Sequence, residues 1–138
     1  MNLDEIRSFF GSDAYASTQT GIEIIDDGKQ TAICRLPLDE RHSNGYGFVM
    51  GGVFFTLADF AFAIASNTEQ PETLTLSASI QYHSSARIGE CLIAKASCLH
   101  DGKNTCAYQI EIYEEQSLRE VASVSFTGFK TGKKGFMK

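Results

Sequence analysis

Residues 53–66 read VFFTLADFAFAIAS. Apolar side chains occupy nearly every direction around the 3.6-residue turn, which is the pattern of a helix buried on all sides. Asn67 supplies a stop, and glycines at 45, 47, 51 and 52 mark a loop that feeds the start. At about 1.5 Å per residue the run spans roughly 21 Å, short of the ~30 Å of a bilayer core. It also carries the charge of Asp59. The stretch therefore reads as the centre of a globular core and not as a membrane span.

Shorter elements surround it. Leu3, Ile6, Phe9 and Phe10 fall at helical spacing behind Asn2, with Asp4 and Glu5 in the first turn where the helix dipole favours negative charge. Residues 21–26 and 30–38 are apolar runs flanking Asp27-Gly28, a dipeptide suited to a tight hairpin. After the helix, Leu74, Leu76, Ala78, Ile80 and Tyr82 alternate with Thr75, Ser77, Ser79, Gln81 and His83, the period of a strand. Residues 91–100 and 105–114 form a second hairpin around Asp101-Gly102, and 121–129 form the last strand. Helix, two strands, long helix and four strands lack the strand and helix alternation of a parallel sheet. The expected fold is α+β, an antiparallel sheet wrapped around one central buried helix. Residues 1–138 fit one domain. Residues 130–138, with four lysines, read as a solvated and partly disordered tail, or as a weaker candidate for phosphate contact.

Composition excludes several classes. With 43% hydrophobic residues, ten Phe and two Pro, the chain can build a core, which rules out general disorder. A net charge of -5 lacks the basic signature of a nucleic-acid binder. Cys34, Cys91, Cys98 and Cys106 show no C-x-x-C pair and no histidine at zinc spacing, so they read as small buried or half-buried residues and no metal is expected. The first residues lack the basic and then apolar pattern of a signal peptide, so the expected location is cytoplasmic, with reduced thiols.

Asp59 is the only charge between Met50 and Thr68. An ionised carboxylate there costs several kcal/mol unless hydrogen-bonded or hydrated. At 100° per residue Gly52, Thr56, Asp59, Ala63 and Ser66 form one thin stripe, with Phe54, Leu57 and Ala61 opposite. That stripe suits a cavity or a second subunit, and the helix alone fits an interface carboxylate and a functional one equally. Gly51 and Gly52 tip the balance. They leave unpaired backbone N–H groups at a partially positive helix end, open to a carbonyl oxygen becoming an oxyanion. Gly52 and Asp59, seven residues apart, share a face, so an electrophilic hole and a carboxylate base suggest acyl transfer. A Gly-Gly before a helix is by itself more often only a turn. No Ser-His-Asp or Cys-His nucleophile arrangement is evident.

His42-Ser43-Asn44-Gly45-Tyr46-Gly47-Phe48-Val49-Met50-Gly51-Gly52, followed by Leu57-Ala58-Asp59, resembles the H-x-N, G-x-x-H-G-G and L-x-D signature of hot dog fold acyl-CoA thioesterases of the phenylacetate-pathway and human thioesterase-superfamily type. The order of elements is similar over nearly the whole chain. The resemblance implies a homodimer with active sites at the subunit interface, often assembled as a homotetramer, with acyl-CoA as substrate and no cofactor. It makes Asp59 the general base on water or a nucleophile, and Gly52 the N–H donor to the thioester oxygen. Asn44 becomes an amide that positions the reacting groups, and Ser77 a serine lent by the other subunit. Gly51, Phe55 and His83 fall on the substrate-binding side, and Arg87 becomes a candidate phosphate contact near the nucleotide of coenzyme A. Phe48 and Phe55 weakly favour an aryl or medium acyl group. His42 reads as a solvated or a turn residue of the loop, and His100 as the end of a strand.

One position departs from the signature. Met50 stands where the family usually has histidine, and a thioether neither donates a hydrogen bond nor holds a proton. It is instead suited to packing against an acyl group. The departure motivates a rival expectation, a non-catalytic hot dog protein that binds acyl-CoA or a related ligand. A hot dog dehydratase or hydratase is disfavoured, since the motif offers no histidine as acid or base.

Overall fold

The computed structural model describes residues 2–135. Helix α1, Leu3–Phe10, starts on a capping box in which the Asn2 side chain accepts the Glu5 N–H and the Glu5 carboxylate accepts the Asn2 N–H. A π-helical turn, Ala14–Gln19, follows, capped by Asp13. Strands β1 (Glu23–Gly28) and β2 (Thr31–Pro37) form the first hairpin. Helix α2 is Gly51–Asn67, and four strands follow it: β3 (Pro71–Tyr82), β4 (Cys91–Asp101), β5 (Thr105–Glu114) and β6 (Glu120–Lys134). All pairings are antiparallel, in the order β1-β2-β4-β5-β6-β3. The expected α+β architecture, one sheet wrapped round α2, is what forms. No helix among the described residues is long and apolar enough to cross a membrane.

The core lies between α2 and the sheet. Phe54, Leu57, Ala61 and Ile64 of the helix are buried, as the helix periodicity predicts. Phe62 stacks on Phe126 of β6 at 4.6 Å between centroids and meets Tyr108 of β5 edge-on at 5.4 Å. Gly128 makes room for this crossing: a Cβ there would stand 2.6 Å from the Thr73 methyl and 3.1 Å from the Phe62 ring. Phe10 reaches Phe60 at 6.3 Å, which ties the N-terminal segment to the middle of α2. Cys34, Cys91 and Cys106 are buried and Cys98 half-buried, all as free thiols, and burial pushes the Cys34 thiol up to about 12. Glu114 is buried at the end of β5, where the N–H groups of Ser117 and Gln116 and the Ser117 hydroxyl hold its carboxyl at about 2.

Three expectations need correction. The first hairpin turns on Lys29 and Gln30 and not on Asp27-Gly28, because β1 carries a bulge between Ile24 and Asp26 that moves the pairing on and leaves Gly28 opposite Thr31. Gln30 takes the positive φ, 60°, that the turn demands. Residues 130–134, expected in a solvated tail, continue β6, with Thr73 opposite Lys130 and Pro71 opposite Lys134. The Lys130 ammonium binds the Asp101 carboxylate and the Gly102 carbonyl, tying the strand to the β4–β5 hairpin. Residues 136–138 of that expected tail lie outside the described residues.

The third correction concerns β3. Its alternation predicts one buried and one exposed face, yet every residue from 74 to 79 is exposed. β3 is the sheet's edge, so its outer hydrogen-bonding groups have no strand beside them in the single chain. A bulge lies between Thr75 and Ser77: Thr75 opposes Gly128 and Ser77 opposes Thr127, so two steps on β3 match one on β6. Opposed residues share a face. Gly128 faces the core, so Thr75 is turned toward α2, while Ser77 lies with Thr127 on the outer face.

Candidate active site

The site is built around the first turn of α2. Met50 is the N-cap, extended at φ -65° and ψ 136°, and makes no side-chain capping bond. The Val53 N–H closes onto the Met50 carbonyl at 3.0 Å, whereas Gly51 and Gly52 have no acceptor within the helix. A Cβ on Gly52 would meet nothing within 4 Å, so the backbone there is open to the approach of a ligand. Gly51 is closed on one side by Tyr82, whose hydroxyl donates to its carbonyl at 3.0 Å.

The loop before the helix is held by its own backbone. Ser43 bridges to Val49, and the Met50 N–H donates to the His42 carbonyl at 2.8 Å. The Asn44 side-chain oxygen accepts the N–H groups of Tyr46 at 2.9 Å and Phe48 at 3.1 Å, so any work on a ligand falls to its NH2. His42 is a turn residue, in the 3-10 turn Glu40–His42, but not a solvated one. It is 2% exposed, its Nδ1 accepts the Asp39 N–H at 2.9 Å, and its Nε2–H donates to the Thr20 carbonyl at 2.7 Å. Both ring nitrogens are used to fasten the loop to the N-terminal segment. Tyr46, Phe48 and Met50 are left exposed.

Asp59 stands on the same stripe as Gly52 and Thr56, as the helical wheel predicts. It is exposed in the single chain. Enough protein surrounds the carboxyl to push its pKa up, the Asp13 carboxylate pushes the same way, and a hydrogen bond from the Thr75 hydroxyl partly offsets both. The carboxyl rim is open while the apolar helix around its base and a like charge raise its pKa. Thr75 is the residue that sequence reasoning missed. Its alternation with Leu74 and Leu76 gives a strand position, but the bulge that turns it toward the helix leaves no trace in the pattern.

Two clefts open near these groups, and a third lies at the far end of β3. One of about 440 Å³ is bounded by Gly51, Phe48, Tyr82, His83 and Ser84. Another, of about 310 Å³, lies between the π-helical turn and α2, with Gly52 and Met50 in its wall. A third, of about 420 Å³, is basic, with Lys103, Lys130, Lys133 and Lys134 around Pro71. The structure thus brings Gly51, Gly52, Met50 and His83 to the helix N-terminus, and places Asp59 two turns along. His83 is anchored there: its Nε2–H donates to the Ser123 hydroxyl at 2.9 Å, which donates to Glu111 at 2.6 Å. Phe55 packs on Phe126 at 5.6 Å and lines none of these clefts. Arg87 is exposed in the turn before β4, its N–H bound to Glu90, and lines none of them either.

A six-stranded antiparallel sheet around one long helix, with an uncapped glycine N-terminus and a carboxylate on the exposed stripe, defines a hot dog fold protein. Residues 46–121 match the thioesterase superfamily model. The chain belongs to the thioesterase superfamily and is by that membership a thioester hydrolase. It is 32% identical to the acyl-coenzyme A thioesterase PaaI of Escherichia coli over 110 residues, covering 80% of this chain and 78% of that one. The structure of the E. coli PaaI protein matches with a TM-score of 0.87 at 29% identity, over 95% of this chain and 94% of the other. A hypothetical thioesterase of Streptococcus pneumoniae, solved with coenzyme A, matches with a TM-score of 0.81 at 25% identity, over 94% of this chain and 99% of the other. Alanine variants of that protein have been solved at an aspartate and a threonine spaced as Asp59 and Thr75 are here.

Proposed function

We propose that the chain hydrolyses acyl-coenzyme A thioesters to the free acid and coenzyme A, as a homodimer whose sites are shared between subunits. The observation that carries this reading is the separation of Gly52 from Asp59. Seven residues of helix put them roughly 10 Å apart along the axis and on one face. Two chains that meet at this stripe would bring the donor of one and the base of the other to a carbonyl from two sides, so we assign the donor and the base to different chains.

The β3 edge supplies the means. A two-fold axis that continues the sheet across β3 covers residues 74–79 and lays the two α2 helices antiparallel, stripe against stripe. Asp59 of one subunit then approaches the helix N-terminus of the other. Leu74 and Phe129, opposed on the outer face and both exposed, give such a dimer a patch for pairing again into a homotetramer.

In the reaction, the ionised Asp59 takes a proton from water, and the resulting hydroxide attacks the thioester carbon. The developing oxyanion is met by the Gly52 N–H and the helix dipole. The C–S bond breaks as the tetrahedral intermediate collapses, and the thiolate of coenzyme A leaves and takes up the proton. The raised pKa of Asp59 makes it a stronger base than an ordinary carboxylate, and Thr75 orients it. Met50 removes a possible hydrogen-bonding side chain but leaves both of these groups intact.

The substrate class is supported by charge. A pairing centred on residues 74–79 sets Pro71 of one subunit across from Tyr82 of the other, which joins the basic cleft of one chain to the Tyr82–His83 cleft of its partner. Lys103, Lys133 and Lys134 are then better placed than Arg87 for the phosphates of coenzyme A, in a chain whose net charge is -5. The four unpaired cysteines suit a reducing compartment such as the cytoplasm.

The test is thiol release from a panel of acyl-CoAs. Asp59→Asn is expected to lower kcat/KM by at least ~100-fold, the scale of a lost general base. The acid limb of the wild-type pH profile should lie above the ordinary aspartate value of 3.8, because only the ionised carboxyl works and its pKa is raised. Saturable acyl-CoA binding without turnover would instead favour a binding protein, and full activity in Asp59→Asn would remove Asp59 from the mechanism.

A further inference from the structure

The N-terminus of α2 separates two clefts. Gly51 borders the one that runs along Tyr82 and His83, and Gly52 borders the one beneath the π-helical turn. A thioester whose carbonyl oxygen sits on the Gly52 N–H has two arms, and each arm has one cleft to enter. We infer that the cleft between the π-helical turn Ala14–Gln19 and the first two turns of α2 is the acyl subsite, that it takes an uncharged acyl group of medium size, and that Tyr15 sets its preference. This rests on the thioesterase reading above.

Size and chemistry both bear on the occupant. At about 310 Å³ the cleft is at the low end for small-molecule pockets, enough for an acyl group but not for a whole coenzyme A thioester. Four of its polar side chains, the one cation among them, are already engaged. The Arg41 guanidinium donates to Asp39 at 3.0 and 3.1 Å and to the Gln19 carbonyl at 3.0 Å, so its charge is neutralised within the wall. His42 uses both ring nitrogens, the Thr56 hydroxyl donates to the Gly52 carbonyl at 2.9 Å, and the Ser43 hydroxyl donates to the Glu40 carbonyl at 2.8 Å. No cation in the wall is available for a second carboxylate on the acyl chain. What remains for contact is the Tyr15 ring, the Met50 thioether and Val53, with the uncharged Gln19 amide and Thr20 hydroxyl beside them. Tyr15 is 62% exposed in the first turn of a π-helix, a rare conformation that is frequent at functional sites. Its ring lies outside the core and is placed to cover an acyl chain.

The experiment compares kcat/KM for acetyl-CoA, hexanoyl-CoA and succinyl-CoA in wild type, Tyr15→Ala, Tyr15→Phe and Val53→Phe. In wild type hexanoyl-CoA should exceed succinyl-CoA. The hexanoyl-to-acetyl ratio should fall by about tenfold or more in Tyr15→Ala, which removes the cover, and in Val53→Phe, which narrows the cleft, and should be kept in Tyr15→Phe. Ratios that stay level in both Tyr15→Ala and Val53→Phe, or a preference for succinyl-CoA, would overturn the acyl subsite while leaving hydrolysis intact. A wild type that releases no thiol from any of the three would instead overturn the thioesterase reading itself.

Discussion

β5 and β3 carry the same alternation of apolar and polar residues and end in opposite conditions. In β5 Cys106, Tyr108, Ile110 and Ile112 are buried in turn, and in β3 residues 74–79 are exposed without a break. The difference is one of position. β5 lies between β4 and β6 and under α2, while β3 is the sheet's edge. Strand periodicity reports which residues want cover, but not whether the cover comes from the same chain.

The sharpest contrast is in folding. Ile110 is fully buried, and Ile110→Ala should cost about 2–5 kcal/mol in denaturant unfolding, since a cavity opens under α2. Leu76 is 62% exposed, and Leu76→Arg should leave the far-ultraviolet circular dichroism of the chain in place while abolishing dimer and turnover together. Sedimentation velocity with a parallel activity assay reads both. An active Leu76→Arg monomer would end the parallel between a missing cover and a missing half-site.

Thr75 probes the bulge. Thr75→Val keeps the shape and removes the hydroxyl that favours the ionised Asp59. With that hydrogen bond gone the Asp59 pKa rises further, so the acid limb of kcat/KM should move to higher pH, with activity at neutral pH reduced several-fold. Ser77→Ala, on the outer face, should move the limb little. The reverse order would mean that Ser77 of the partner, and not Thr75, attends the carboxyl. Met50→His is expected to give the smallest effect, a modest gain or a broader acyl range, since the Gly52 donor and Asp59 are already in place. An unaltered profile over the same acyl-CoA panel would show that the missing histidine does not limit the chemistry.

Much of this was legible in the residues. Helix α2, its stripe from Gly52 to Ala63, the succession of six strands along the chain and the glycine loop all follow from periodicity and turn chemistry, because each is a local property, whereas Ser66, expected on the same stripe, is buried with its hydroxyl on the Phe62 carbonyl. What was not legible depends on distant partners. His42 looks like a loop residue until Thr20 and Asp39 are seen to take both ring nitrogens. Lys130 looks like the start of a tail until Asp101 and Gly102 hold it. The bulge in β3 changes the face of Thr75 without changing the alternation around it, and the β1 bulge moves a turn by the same means. The exposed run of β3 is itself informative, since a long apolar edge strand without protection is a surface awaiting a partner.

The central claim, that Gly52 of one subunit works with Asp59 of the other, is tested most directly by mixing two inactive chains. Asp59→Asn removes the base. Gly52→Pro removes the donor at a first-turn position where proline is tolerated and where no neighbour stands within 4 Å of an added Cβ. Each variant alone should be inactive. After unfolding and refolding an equal mixture, half of the dimers are mixed and each carries one intact site of two, so shared sites predict recovery of about a quarter of wild-type activity. Failure of the mixture to recover activity, with mixed dimers confirmed by native mass spectrometry, would place Gly52 and Asp59 in the same chain's site and contradict the shared one.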